Sequence, residues 1–148
     1  MSWLRDDLEV PERAQLPTGH HMRGIRESDV DIDFPAVMSV REKLWAKYGE
    51  AWGWPPETMS YEQDKKDLKH HEDEIAARET FNYAVLNEHE SALFGCVYID
   101  PAYDESHAGA DAVASWWAVD PQLEAALDEF VPRWLEDVWG FRAVKFWP

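Results

Sequence analysis

The chain has 148 residues, 45% of them hydrophobic, and sets 30 acidic side chains against 14 basic ones for a formal net charge of −16. That length suits one domain with a core large enough to dispense with disulfide or metal staples. A field of this sign repels nucleic-acid phosphates and anionic membrane surfaces and attracts cations. No uninterrupted apolar run reaches bilayer length, so neither a nucleic-acid nor a membrane partner is expected. The single Cys96 cannot form an intramolecular disulfide, and the charged start MSWLRDDLEVPERAQ lacks an apolar targeting segment. Both features fit a cytoplasmic protein in a reducing compartment.

In chain order, residues 1–19 are polar, carry Pro11 and Pro17 and show no sustained period, which predicts a flexible arm ahead of a single domain over 20–148. HHMRGIR, from His20 to Arg26, reads as a short strand. A helix follows from Asp33, which can cap it, to Gly49, which can close it, with Pro35 tolerated in its first turn. The Gly- and Pro-broken loop AWGWPPETM carries Trp52 and Trp54. Ser60 and Gln63 make a capping-box pair for a second helix reaching about Glu79, on which only Tyr61, Leu68 and Ile75 recur every seven residues. Its buried stripe is therefore narrow, and the helix is expected on the surface.

FNYAVLN and ALFGCVYID, separated by EHES, read as a β-hairpin. Alternation sets Phe81, Tyr83 and Val85 against Asn82, Ala84 and Leu86. In the second run Leu93, Gly95, Val97 and Ile99 oppose Phe94, Cys96 and Tyr98. Strands apolar on both sides belong in the middle of a sheet covered on both faces, with Cys96 a small buried hydrophobe. After the turn-rich AYDESHAGA, Asp111 to Asp120 is a further strand. Pro121 opens a helix with Leu123, Leu127, Phe130, Trp134 and Val138 at helical spacing, Pro132 should kink it, and Gly140 ends it. FRAVKFWP closes the chain as a strand. The strand–helix–strand crossover predicts that this last strand lies parallel to the one before the helix.

Strand, two helices, three antiparallel strands, helix and strand is an order that resembles the GNAT N-acetyltransferase superfamily. The carrying segments are IRESDVDIDFPAV, FNYAVLNEHESALFGCVYID, SWWAVDPQLEAALDEFVPRWL and FRAVKFWP, which together span His20 to the end. The resemblance implies an α+β fold, a mixed and mostly antiparallel central sheet with helices on both faces. It also implies acyl-CoA-dependent transfer of an acetyl group to a small amine. Acetyl-CoA would lie where the last two strands splay apart. Its thioester would meet Trp117, Ala118 and Val119, and its pyrophosphate would meet the helix start at Gln122, Leu123, Glu124 and Ala125. In place of that family's Gly-containing phosphate loop stands Asp120-Pro121-Gln122-Leu123-Glu124-Ala125, without Gly or Arg. The family pattern also continues past its fifth strand, whereas this chain stops at Pro148, leaving a strand edge that a second copy would cover in a homodimer.

Amine acetylation needs a general base, and Glu79, Asp100 and Asp111 stand at strand ends near the implied cleft, with Tyr98 a possible proton donor. The bland alternative is that the carboxylates are solvated charges and Tyr98 a hydrogen-bonded core residue. Trp45, Trp52 and Trp54 border the implied acceptor side, where rings over an acidic cleft would hold a cationic amine; the alternative is a hydrophobic lid. The tract Lys69-His70-His71-Glu72 predicts no metal site, because adjacent helical histidines diverge by about 100°. Neither Ser39 nor Ser115 sits in a Gly-x-Ser-x-Gly elbow. Two functions therefore stay open: an acetyltransferase, or a non-catalytic binding module on the same fold that has lost the cofactor.

Overall fold

The computed structural model describes residues 3–148; the first two residues of the expected arm lie outside the described residues. A six-stranded sheet has the order β1-β2-β3-β4-β5-β6. The strands are β1 (Arg13–Gln15), β2 (His21–Gly24), β3 (Phe81–Leu86), β4 (Leu93–Asp100), β5 (Ala112–Ala118) and β6 (Val144–Phe146). Every neighbouring pair is antiparallel except β5 and β6, which run parallel as the crossover predicts. The helices are α1 (Val30–Ser39), α2 (Arg41–Trp52), α3 (Tyr61–Ala76) and α4 (Pro121–Asp137).

Alternation along the two central strands builds two cores. Phe81, Tyr83, Val85, Val97 and Ile99 face α4, meeting Leu127, Trp134 and Trp139. Ala84, Leu86, Cys96 and Tyr98 face the other way, toward Val37, Leu44, Tyr48 and Leu68 of the three earlier helices. The hairpin is thus covered on both faces, as its doubly apolar strands require. A register shift beside Leu86 pairs Leu86 with Leu93 but Val85 with Gly95. This β-bulge carries Leu93 to the face of Cys96 and Phe94 to the face of Val97, opposite to what simple alternation predicts.

Three further expectations are corrected. From Trp3 onward the N-terminal segment is no flexible arm: Leu4, Leu8 and Leu16 are buried, Trp3 stacks on Phe141, and β1 pairs with β2. Its apolar residues follow no helix or strand period, yet they join the core that α4 shares with the sheet. The predicted helix over 33–49 is two helices broken at Val40, which leaves helical geometry at φ −125°, ψ 27°. The second continues past Gly49 to Gly53, whose φ of 62° is the left-handed terminator. Asp33 is no cap but an inward residue of α1, one turn from Val30 and Val37. Other local signals hold: Ser60 accepts from the Gln63 amide to cap α3, and α4 runs through Pro132 to end before Gly140, φ 76°.

Candidate functional site

A cavity of about 280 Å³ opens between the sheet and α1–α3. Its floor is β4, where a period of two sends Cys96, Tyr98 and Asp100 to one face. One wall is α3, whose spacing aligns Asp64, Asp67, Leu68 and His71. Asp33 of α1 closes the end beside Cys96, Asn82 of β3 stands beside Tyr98, and Trp52 and Trp54 from the end of α2 and its following loop form the rim. Four carboxylates, two indoles and a phenol thus line one hollow.

Burial sets the protonation of this site. Asp33 and Asp64 are 3% and 2% exposed and line the same hollow. Burial, reinforced by neighbouring Asp64, holds Asp33 well above the usual carboxylate range, and burial also raises Asp64. Two carboxyls so placed disfavour each other's ionised form, because neither is well solvated. Asp67 is raised by burial too, and burial with nearby Glu74 pushes Asp100 up to about 7. Burial lowers the His71 imidazole and raises the Cys96 thiol, whose Sγ lies 4.0 Å from Asp33 Oδ1. Asp64 Oδ2 and Asn82 Oδ1 are buried without any hydrogen-bond partner in the protein. An unmatched buried acceptor costs about 1 to 3 kcal/mol, so both are poised to accept from a ligand that brings donors. Among the described residues no three His, Cys, Asp or Glu side chains form a group able to hold a metal ion.

The second site is the gap between β5 and β6. These strands pair only over Ala112–Ala114, and Trp147 N–H to the Ala114 carbonyl is the last bond across them. Beyond it, alternation turns the main-chain groups of Trp116 and Ala118 to the open side, while Val119 N–H bonds back to Phe94 on β4. The chain's own lysines take the open carbonyls: Lys47 Nζ donates to Trp116 O at 2.6 Å and Lys43 Nζ to Ala118 O at 3.0 Å. The Trp116 indole donates to Asp128 and lies edge-on to Phe146, leaving a hollow of about 110 Å³. At the mouth, Asp120 caps α4 by accepting from Leu123 N–H at 2.8 Å, Pro121 has no N–H, and Glu124 accepts from Lys43. A pyrophosphate would compete with two carboxylates for the few amides left, so these residues do not fit the phosphate end of acetyl-CoA.

The two sites share no lining residue. Tyr48, fully buried, stands between them: its hydroxyl bonds Ser115 at 2.8 Å on the gap side, and its ring stacks on Trp52 at the cavity rim. Trp117 reinforces the partition by donating its indole N–H to the Tyr98 hydroxyl at 2.9 Å.

Of the residues singled out by sequence, Asp100, Tyr98, Trp52 and Trp54 come together at the cavity. Glu79 is exposed and outside it, and Asp111 instead holds the loop after α4, accepting from Arg142 and Ala143 N–H. Trp45 is 43% exposed with Arg41 over its ring, away from the rim. Trp117 is core, and Val119 turns its amide to β4 rather than to the gap, so only Ala118 of the three expected thioester contacts has main chain on the open side. Leu123 is core, its amide used by the cap; Gln122 and Ala125 are exposed on the first turns of α4. Sequence reasoning missed Asp33, Asp64, Asn82 and the two lysines. The readable signal was the run Asp64, Asp67, Leu68, His71, one helical face on which a leucine sits among ionisable groups.

No protein-family profile matches the chain, and no curated protein sequence does. Solved structures do resemble it. The ribosomal-protein-S5-alanine acetyltransferase from Vibrio fischeri superposes with a TM-score of 0.60 at 15% identity, over 85% of this chain and 68% of that one. A ribosomal L7/L12 alpha-N-protein acetyltransferase, RimL, in complex with coenzyme A, gives 0.63 at 15% identity, over 84% and 68%. Apo FdhC, a nucleotide-linked sugar GNAT, gives 0.58 at 12% identity, over 93% and 72%. At such identities the likeness is one of fold, and with the strand order and the diverging β5 and β6 it leads to one conclusion: the chain has the fold of the GNAT acetyltransferases.

Proposed function

We propose that this protein is a binding module on the GNAT scaffold, capturing a small cationic amine in the cavity lined by Asp33, Asp64, Asp67 and Asp100, with its cofactor gap filled by its own side chains. The observation that carries this reading is the pair of unpartnered buried acceptors, Asp64 Oδ2 and Asn82 Oδ1, beside the Trp52 and Trp54 rings. An ammonium group brings three N–H donors and a positive charge, answering both acceptors at once. Its charge favours the ionised forms of Asp33 and Asp64, and indole faces attract the cation at the rim. The net charge of −16 concentrates cations around the molecule.

Acetyl transfer to the same amine is a second reading, favoured by Asp100. A carboxyl titrating at about 7 is matched to taking a proton from an ammonium near neutral pH. Calorimetry separates the two. Butylamine should give saturable heat that Asp64→Leu abolishes, and acetyl-CoA should give none up to millimolar concentration. Saturable heat from acetyl-CoA, followed by thiol release on adding amine, would establish the transferase instead.

A further inference from the structure

The carboxylates of the cavity include two poles, Asp33 with Asp64 at one end and Asp100 at the other, with Asp67 on the α3 wall. Asp33 and Asp64 lie at the Cys96 end, tied to it by the 4.0 Å contact between Asp33 Oδ1 and Cys96 Sγ. Asp100 is four residues further along the same face of β4, about 13 Å away at the rise of a β-strand. Between the poles β4 presents Tyr98, and the Trp52 ring stands edge-on to it with centroids 5.3 Å apart. On the β4 and α2 sides the stretch between the charges is therefore aromatic, while Asp67 and His71 of α3 and Asn82 of β3 also line the hollow. Asp64, the acceptor without a partner at the inner pole, is only 2% exposed, and Asn82, likewise unpartnered and 4% exposed, stands opposite Tyr98 across β3 and β4, so a ligand must reach in past the indoles to satisfy them. Asp100 is the half-buried outer pole.

Building on the cation-binding reading, we infer that the cavity takes a linear dication, two amine groups joined by a short hydrocarbon chain, one end on Asp33 and Asp64, the other on Asp100, and the chain across Tyr98 and Trp52. A monoamine answers one pole and leaves the other without a counter-charge. A compact polar dication would leave the aromatic stretch without apolar cover.

The experiment is calorimetric titration of the full chain with 1,6-diaminohexane, 1,4-diaminobutane and 1,8-diaminooctane, each against the monoamine of equal carbon number. The diamine of best-fitting length should bind at least about tenfold tighter than its monoamine. Asp100→Asn should bring that diamine down to about the monoamine's affinity, with circular dichroism confirming the fold. Equal affinity of every diamine and its monoamine in the unaltered chain overturns the two-pole inference while leaving the cation site standing. Absence of binding by any amine overturns both. Because the decisive comparison uses the unaltered protein, a variant that fails to fold does not protect the inference.

Discussion

A Cβ placed on Gly95 would sit 2.2 Å from the carbonyl oxygen of Trp117 and 3.1 Å from Ala118 Cα, both main-chain atoms of the paired strand. No rotamer change relieves that contact, so β4 and β5 must separate. Gly95→Ala should cost about 1 to 3 kcal/mol, read as a lowered midpoint in urea with an unchanged slope. Gly49 makes the contrast: its added Cβ would meet only the ring of Trp45, an exposed side chain that can swing aside. Gly49→Ala should therefore cost far less, the loss being offset by the better helix propensity of Ala. Sequence displays both glycines equally well. Which of them is pressed against backbone depends on how closely a neighbouring strand approaches, and that distance is written in no local pattern.

Among the elements, α4 is the clearest case of local encoding. Asp120, Pro121 and the Leu123–Leu127–Trp134 stripe mark its start and buried face, and the helix forms where they place it. Asp120→Ala removes the cap from Leu123 N–H and should lower stability by about 1 kcal/mol, seen as a fall in thermal midpoint. The same first turn is unfavourable to a phosphate, since the groups that begin the helix well are those that repel an anion from it. α3 shows the opposite. Its start was legible from Ser60 and Gln63, but its inner face was not, because Asp64 and Asp67 read as solvent-facing charges until α1 and the sheet cover them. The break between α1 and α2 falls at Val40 with no Gly or Pro beside it to announce it, where Ser39 Oγ donates to the Ala36 carbonyl.

For the molecule as a whole, burying carboxyls under a net charge of −16 sets a definite pH response. Asp33, Asp64, Asp67 and Asp100 all titrate above their ordinary value. Acids raised in the folded state bind protons more tightly there than in the unfolded chain. Their contribution is complete below about pH 4, the unfolded carboxylate value, and fades as pH climbs through the folded one, which for Asp100 is about 7. Glu90 and Asp111, lowered by their hydrogen bonds, act in the reverse sense and lose their contribution only as pH falls through their folded values. Between pH 5 and 8 the buried carboxyls lose their contribution, while His71, lowered by burial, acts in the opposite sense. The part due to Asp100 is the difference: the thermal midpoint of the unaltered chain should fall relative to that of Asp100→Asn over this range, because the variant has no charge to bury. Parallel slopes for the two proteins would show that Asp100 does not titrate where its surroundings place it.

The sequence by itself determined the order of elements from α3 onward, the doubly apolar hairpin at the centre, the cap of α3, the start of α4 at Pro121 and the parallel closing strand. Alternation, helical stripes and capping are relations among residues a few positions apart, so the chain carries them locally. Only the tertiary structure decided which surfaces meet. It joined Asp33 of α1 to Asp64 of α3, laid the Trp3–Leu16 segment along α4, and set Lys43 and Lys47 on the carbonyls of β5. A carboxylate or lysine on a helix reads as solvated until another element removes its water, and that happens only when distant parts of the chain come together.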